Sequence, residues 1–137
     1  MLRKSGIGIA VILGLALTLA AVAAVSNAHF VGTPSLTSSG NTATASGKVA
    51  GLGNVEVITV EVSGDAACIN PGSKHPRAAN KESFDSSEDV PVQNGKAIFD
   101  VDLIATFQPD CTPPMSVQWS NLSVTVTAAD GTFLQFP

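Results

Sequence analysis

The sequence predicts an all-β fold: an antiparallel, immunoglobulin-like β-sandwich of about seven strands after an N-terminal signal peptide. Three observations carry that expectation. Val, Thr and Ser are abundant past the leader, and Gly and Pro recur between the extended runs. Apolar residues recur with a period of two, most clearly at Phe99, Val101, Leu103, Ala105 and Phe107. Turn-forming clusters at Gly51-Leu52-Gly53-Asn54, Asn94-Gly95, Pro109 to Pro114 and Asp130-Gly131 separate the extended runs.

The leader comes first. Arg3 and Lys4 precede an uncharged apolar run from Ile7 to Val25, and small residues follow at Ser26 and Ala28. Positive, apolar and small-residue segments in that order make a secretory signal peptide. Cleavage after Ala28 divides the chain into a leader, 1–28, and a secreted domain, 29–137, with His29 at its head; Ala23 and Ala24 are alternative cleavage points. The apolar run also reaches the ~18 residues of a membrane span. An uncleaved anchor is therefore the other reading, and any membrane contact is expected through this segment alone. No Cys follows the run to take a lipid, and no apolar tail closes the chain for a GPI-type signal.

Past the leader, Thr42 to Val49 alternates loosely. The run from Val55 to Val62 is the clearest early strand, and its apolar phase slips near Ile58, which suggests a bulge or a strand covered on both faces. Residues 66–69 continue or follow it. Asn70 to Asp89 is polar throughout and reads as a connection of ~20 residues, far above the usual ~4–6. Val90 to Gln93 leads to Asn94-Gly95, a hairpin signal because both central residues of a type I′ turn need positive φ. Lys96 to Phe107 returns as a half-buried strand. Val117 and Trp119 alternate inward; after Ser120-Asn121 the phase moves to Leu122, Val124, Val126 and Ala128. Thr132 to Phe136 is the last strand.

Composition limits the functions. At 137 residues the chain is one domain, too short for a doubly wound dinucleotide enzyme or a (β/α)₈ barrel. The net charge is −4, and becomes −6 once the leader and its two basic residues are removed. An acidic chain lacks the basic face that nucleic acid requires. Cys68 and Cys111 are the only cysteines, and in an exported chain they are expected to form one disulfide. The spacing offers no Cys-x-x-Cys redox pair.

Candidate chemistry is sparse. Cleavage after Ala28 would give His29 a free α-amine, which with imidazole Nδ1 forms a nitrogen chelate suited to copper. His75 is the only other histidine that could complete a metal site. This arrangement resembles small periplasmic copper carriers and the copper brace of lytic polysaccharide monooxygenases, but only the leading His matches, and the second His of those motifs is missing from the late strands. Lys74, His75, Arg77, Asn80 and Lys81 in the polar segment are a candidate binding loop. Asp85, Glu88 and Asp89, or Asp100 and Asp102, offer oxygens for calcium without an Asp-x-Asp-x-Asp-Gly loop. No Gly-x-Ser-x-Gly elbow is present, and Gly51-x-Gly53 lacks the third glycine of a dinucleotide loop. Asn121-Leu122-Ser123 is a glycosylation sequon, relevant only to a eukaryotic secretory route.

Thr44-Ala45-Ser46-Gly47-Lys48-Val49, Cys68-Ile69-Asn70-Pro71-Gly72, Ala78-Ala79-Asn80-Lys81 and Phe107-Gln108-Pro109-Asp110-Cys111 resemble stretches of uncharacterised small secreted proteins of actinobacteria. The resemblance implies export from a bacterium and brings no activity or site residues. The sequence thus leads to a secreted, non-catalytic binding or structural protein of the extracellular space or cell envelope. It would need no cofactor, unless copper binds His29, and its partner would be a protein or an envelope component. An extracellular copper-binding protein and a small secreted protease inhibitor presenting a rigid loop are the alternatives.

Overall fold

The computed structural model describes residues 27–72 and 81–137. These form eight strands in two antiparallel sheets, with no helix among them: β1 (His29–Phe30), β2 (Ser35–Ser39), β3 (Thr42–Ala50), β4 (Val57–Ile69), β5 (Lys81–Pro91), β6 (Ala97–Ile104), β7 (Ser116–Thr127) and β8 (Phe133–Phe136). In the first sheet β1 and β2 share one edge of β3, and β6 takes the other edge. The second sheet runs β5-β4-β7-β8. The two stack as a β-sandwich.

Alternation along the strands builds the core. Ala43, Ala45 and Val49 of β3 and Phe99, Val101 and Leu103 of β6 face Ile58, Val60 and Val62 of β4 and Val124 and Val126 of β7; all are buried. Each fully buried branched or aromatic side chain contributes ~1.5–3 kcal/mol. At Gly47 of β3 the side chain is absent because the Phe99 ring, its cross-strand partner, lies there. A Cβ on Gly47 would stand 2.8 Å from Phe99 Cζ. The ring cannot withdraw easily, since Phe30 packs edge-on against it with centroids 6.3 Å apart.

A smaller apolar cluster lies at the other end of the sandwich. Ala66, Cys68, Ala105 and Phe107 are buried there, with Phe84 edge-on to both Phe107 and Trp119 at 5.9 and 6.2 Å. The Trp119 indole N–H donates to the Gly40 carbonyl at 3.0 Å, tying β7 to the β2–β3 turn of the opposite sheet. Cys68 and Cys111 form the expected disulfide, with Cα atoms 5.7 Å apart. It fastens the end of β4 to the connection between β6 and β7.

Several expectations need correction. The polar segment from Asn70 to Asp89 is not one long connection, because residues 81–91 are strand β5, paired with β4 from Ala67↔Lys81 to Val57↔Pro91. Its strand character is hidden because β5 is a sheet edge. Phe84 and Val90 are its only apolar side chains that turn inward, while Glu82 and Glu88 occupy the same register face at the open rim. The Asn94-Gly95 turn forms with φ of 54° and 73°, and Gln93 and Lys96 exchange both backbone hydrogen bonds. The flanking strands then diverge, β5 into one sheet and β6 into the other, so the turn is a corner between sheets. There is no bulge at Ile58. Val55 belongs to the preceding connection, and the strand begins at Val57, which points outward. The register break lies farther along, between Ser63 and Asp65. There β7 carries one extra residue at the left-handed Asn121 (φ 54°), where the apolar phase of the sequence slips.

Two outcomes test this packing. Gly47→Ala is expected to destabilise the domain by about 1–3 kcal/mol in urea unfolding, because the Phe99 ring must move off its site. The double variant Cys68→Ser/Cys111→Ser, which opens a loop of 43-residue separation, is expected to lose about 4 kcal/mol in the same assay.

Candidate functional site

Three connections meet at the end of the sandwich away from the disulfide: residues 51–56 between β3 and β4, 92–96 between β5 and β6, and 128–132 between β7 and β8. The backbones of the first two interlock. Leu52 N–H donates to the Gly95 carbonyl at 3.0 Å, Val55 N–H to Leu52 at 3.1 Å, and Val92 N–H to Glu56 at 2.9 Å. The last turn is held by Asp130, whose carboxylate accepts from the Thr132 amide at 2.9 Å and the Thr132 hydroxyl at 2.6 Å. Those bonds hold the Asp130 carboxyl below its ordinary pKa.

Between the first and the last of these connections lies a groove of about 780 Å³. Leu52, Val55, Val57 and Ala129 supply apolar wall, and Glu56 and Asp130 supply carboxylates. Leu52 is fully buried and anchors the floor, whereas Val57 is 48% exposed. A second depression of about 580 Å³ flanks the same 51–56 connection on its other side and reaches Val92, Asn94 and Lys96. Apolar walls with a few polar groups on rigid connections suit a segment of a partner or a small molecule.

The flat faces carry a different chemistry. On the outer face of the second sheet, Asp65 accepts hydrogen bonds from the Asn121 amide at 2.9 Å and the Ser83 hydroxyl at 2.7 Å. The Asn121 bond foremost, then the Ser83 bond, lowers the Asp65 pKa below 3.8. Thr59 donates to Asp89 at 2.8 Å, Ser63 and Ser123 share a bond of 2.8 Å, and on the first sheet Thr44 donates to Asp102 at 2.6 Å. These polar groups knit neighbouring strands together. Asn121, which the sequence offered as a sequon, has its amide committed to Asp65.

The predicted site residues are dispersed. His29 is exposed in β1, paired with Ala50, and its Nδ1 lies 2.7 Å from the Asn27 carbonyl oxygen. His75, Lys74, Arg77 and Asn80 lie outside the described residues. Lys81 is the exposed first residue of β5, at the disulfide end and far along the sheet from the groove. Asp85 and Asp89 face outward on β5 four residues apart, with Glu88 on the opposite face. Asp100 and Asp102 stand on the outer face of β6. Among the described residues no group of three or more His, Cys, Asp or Glu could hold a metal ion. The groove escapes sequence reasoning because its walls come from aperiodic connections more than 70 residues apart in the chain.

No family model, curated protein or solved structure matches this chain.

The Asp65 bridge generates a pH prediction. A depressed carboxyl pKa adds stability that is complete above the ordinary value of 3.8 and fades as the pH falls through the lower folded value. Asp65→Asn is therefore expected to lower Tm at pH 7, and the gap from wild type to narrow below pH 3.8. A gap independent of pH would contradict this account.

Proposed function

We propose that the chain is an exported, non-catalytic binding module of the extracellular space or cell envelope, with an immunoglobulin-like arrangement of strands, and that it engages its partner at the groove end. The observation that carries the reading is the apolar groove between residues 51–57 and the 128–132 turn, edged by Glu56 and Asp130, with the 51–56 connection itself braced by backbone hydrogen bonds to residues 92–96. A sandwich holds such connections rigidly, so a partner meets a preformed surface and less ordering entropy is lost on binding.

The strand order supports the immunoglobulin-like assignment. With β1 and β2 as a split first strand, the sheets read A-B-E and C′-C-F-G, with a C′ strand in place of D. The disulfide departs from antibody domains, because it joins the end of the C strand to the E–F connection and not B to F. Export is supported by the leader pattern and by the Cys68–Cys111 bond, which persists in oxidising compartments. Among the described residues no helix is long and apolar enough to cross a membrane. The non-catalytic reading draws on the polar side chains of both outer faces, which hydrogen-bond one another across strands. The charge of the chain and the two groove carboxylates favour a partner segment that combines apolar side chains with a positive group.

A photo-crosslinking residue tests the surface. Placed at Val57 in protein exported by living cells, it is expected to give a discrete adduct that Ala129→Lys abolishes. The same residue at Ser46, on the outer face of the first sheet, is expected to give none. Equal adducts from both positions, or none from Val57, would overturn the assignment of the groove.

A further inference from the structure

The residues just before the first strand belong to the fold. Asn27, Ala28, His29 and Phe30 alternate outward and inward, with Ala28 and Phe30 packed against the main core. The Asn27 carbonyl oxygen lies 2.7 Å from His29 Nδ1, within hydrogen-bond reach of the ring N–H. Asn27 also rests on Gly51: a Cβ at Gly51 would overlap the Asn27 carbonyl and stand 3.1 Å from the Ala28 nitrogen. Gly51 has φ +75°, so its position allows both the turn and this close approach. Asn27 lines the groove beside Leu52. A chain cut after Ala28 would lose an inward side chain, a hydrogen-bond acceptor and part of the groove wall.

The leader offers an earlier cut. Ala21-Val22-Ala23, near the end of the apolar run, has the small-x-small pattern that signal peptidases accept. We infer that processing occurs between Ala23 and Ala24, so that Asn27 and Ala28 remain in the mature domain as the lead-in to its first strand. His29 then enters a peptide bond through its nitrogen and has no free α-amine. The inference rests on the export reading above, and it removes the amine–imidazole chelate that a terminal His29 would supply to copper.

The intact mass of the exported protein, expressed as the full chain in a secreting bacterial host, tests it. A first residue of Ala24 is expected. Exported protein that begins at His29 would overturn the inference and leave the export reading standing, whereas an unprocessed chain retained in the cell would overturn both. Ala23→Gln is expected to block or displace processing, and Ala28→Gln to leave the cut in place; the reverse pattern would sink the proposal. Purified domains beginning at Ala24 and at His29 provide a second readout. The shorter one is expected to melt lower, by about 4 °C. Equal Tm values would show that these five residues add nothing to the domain and would overturn the inference.

Discussion

The molecule depends on a covalent tie placed where its apolar core runs thin. Fourteen buried residues form the main cluster, and only four form the one at the disulfide end. Valines and alanines dominate both sheets, and such small side chains bury little area each. The Cys68–Cys111 bond shortens the unfolded ensemble over a long loop, an effect comparable to burying two further large side chains. It also holds the end of β4 beside the β6–β7 connection, which keeps Phe107 seated under Phe84. Strand β4 is paired along both sides, so order at its end is passed to β5 and β7 alike.

With that end fastened, the other end can carry exposed apolar surface. Val57 and Phe133 are 48% and 63% exposed, and the connections beside them are held by backbone hydrogen bonds more than by side-chain packing. A division between a stapled end and a presenting end follows directly from strand order. Residues 51–57 and 129–130 wall the groove at one end, and the Cys68–Cys111 bond ties β4 to the β6–β7 connection at the other.

The sequence was informative where side chains had to alternate and silent where they did not. Phe99, Val101 and Leu103 announced β6 because one face of it is fully buried. Asn94-Gly95 announced a turn because its backbone demands positive φ, and the slip from Trp119 to Leu122 announced the extra residue at Asn121. The disulfide followed from an even cysteine count in a chain with a leader pattern. Strands β1, β2 and β5 were not legible: each turns few apolar side chains inward, so their backbone pairing is dictated by β3 and β4 instead of by an apolar pattern of their own. Of the candidate site, only the turns at 51–54 and 130–131 could be read. That Val57, Ala129 and Glu56 share a wall is a property of the sandwich, which brings the connections together after the strands are paired.

The acidic rim of β5 has a consequence for molecular sociability. An open strand edge is a template for any other strand, a second copy of the same chain included. Two β5 edges laid side by side would bring Asp85 and Asp89 of each copy together on one face and Glu82 and Glu88 together on the other. Mutual repulsion along that seam discourages zipping into fibrils, while the interior pairing with β4, already satisfied, is untouched.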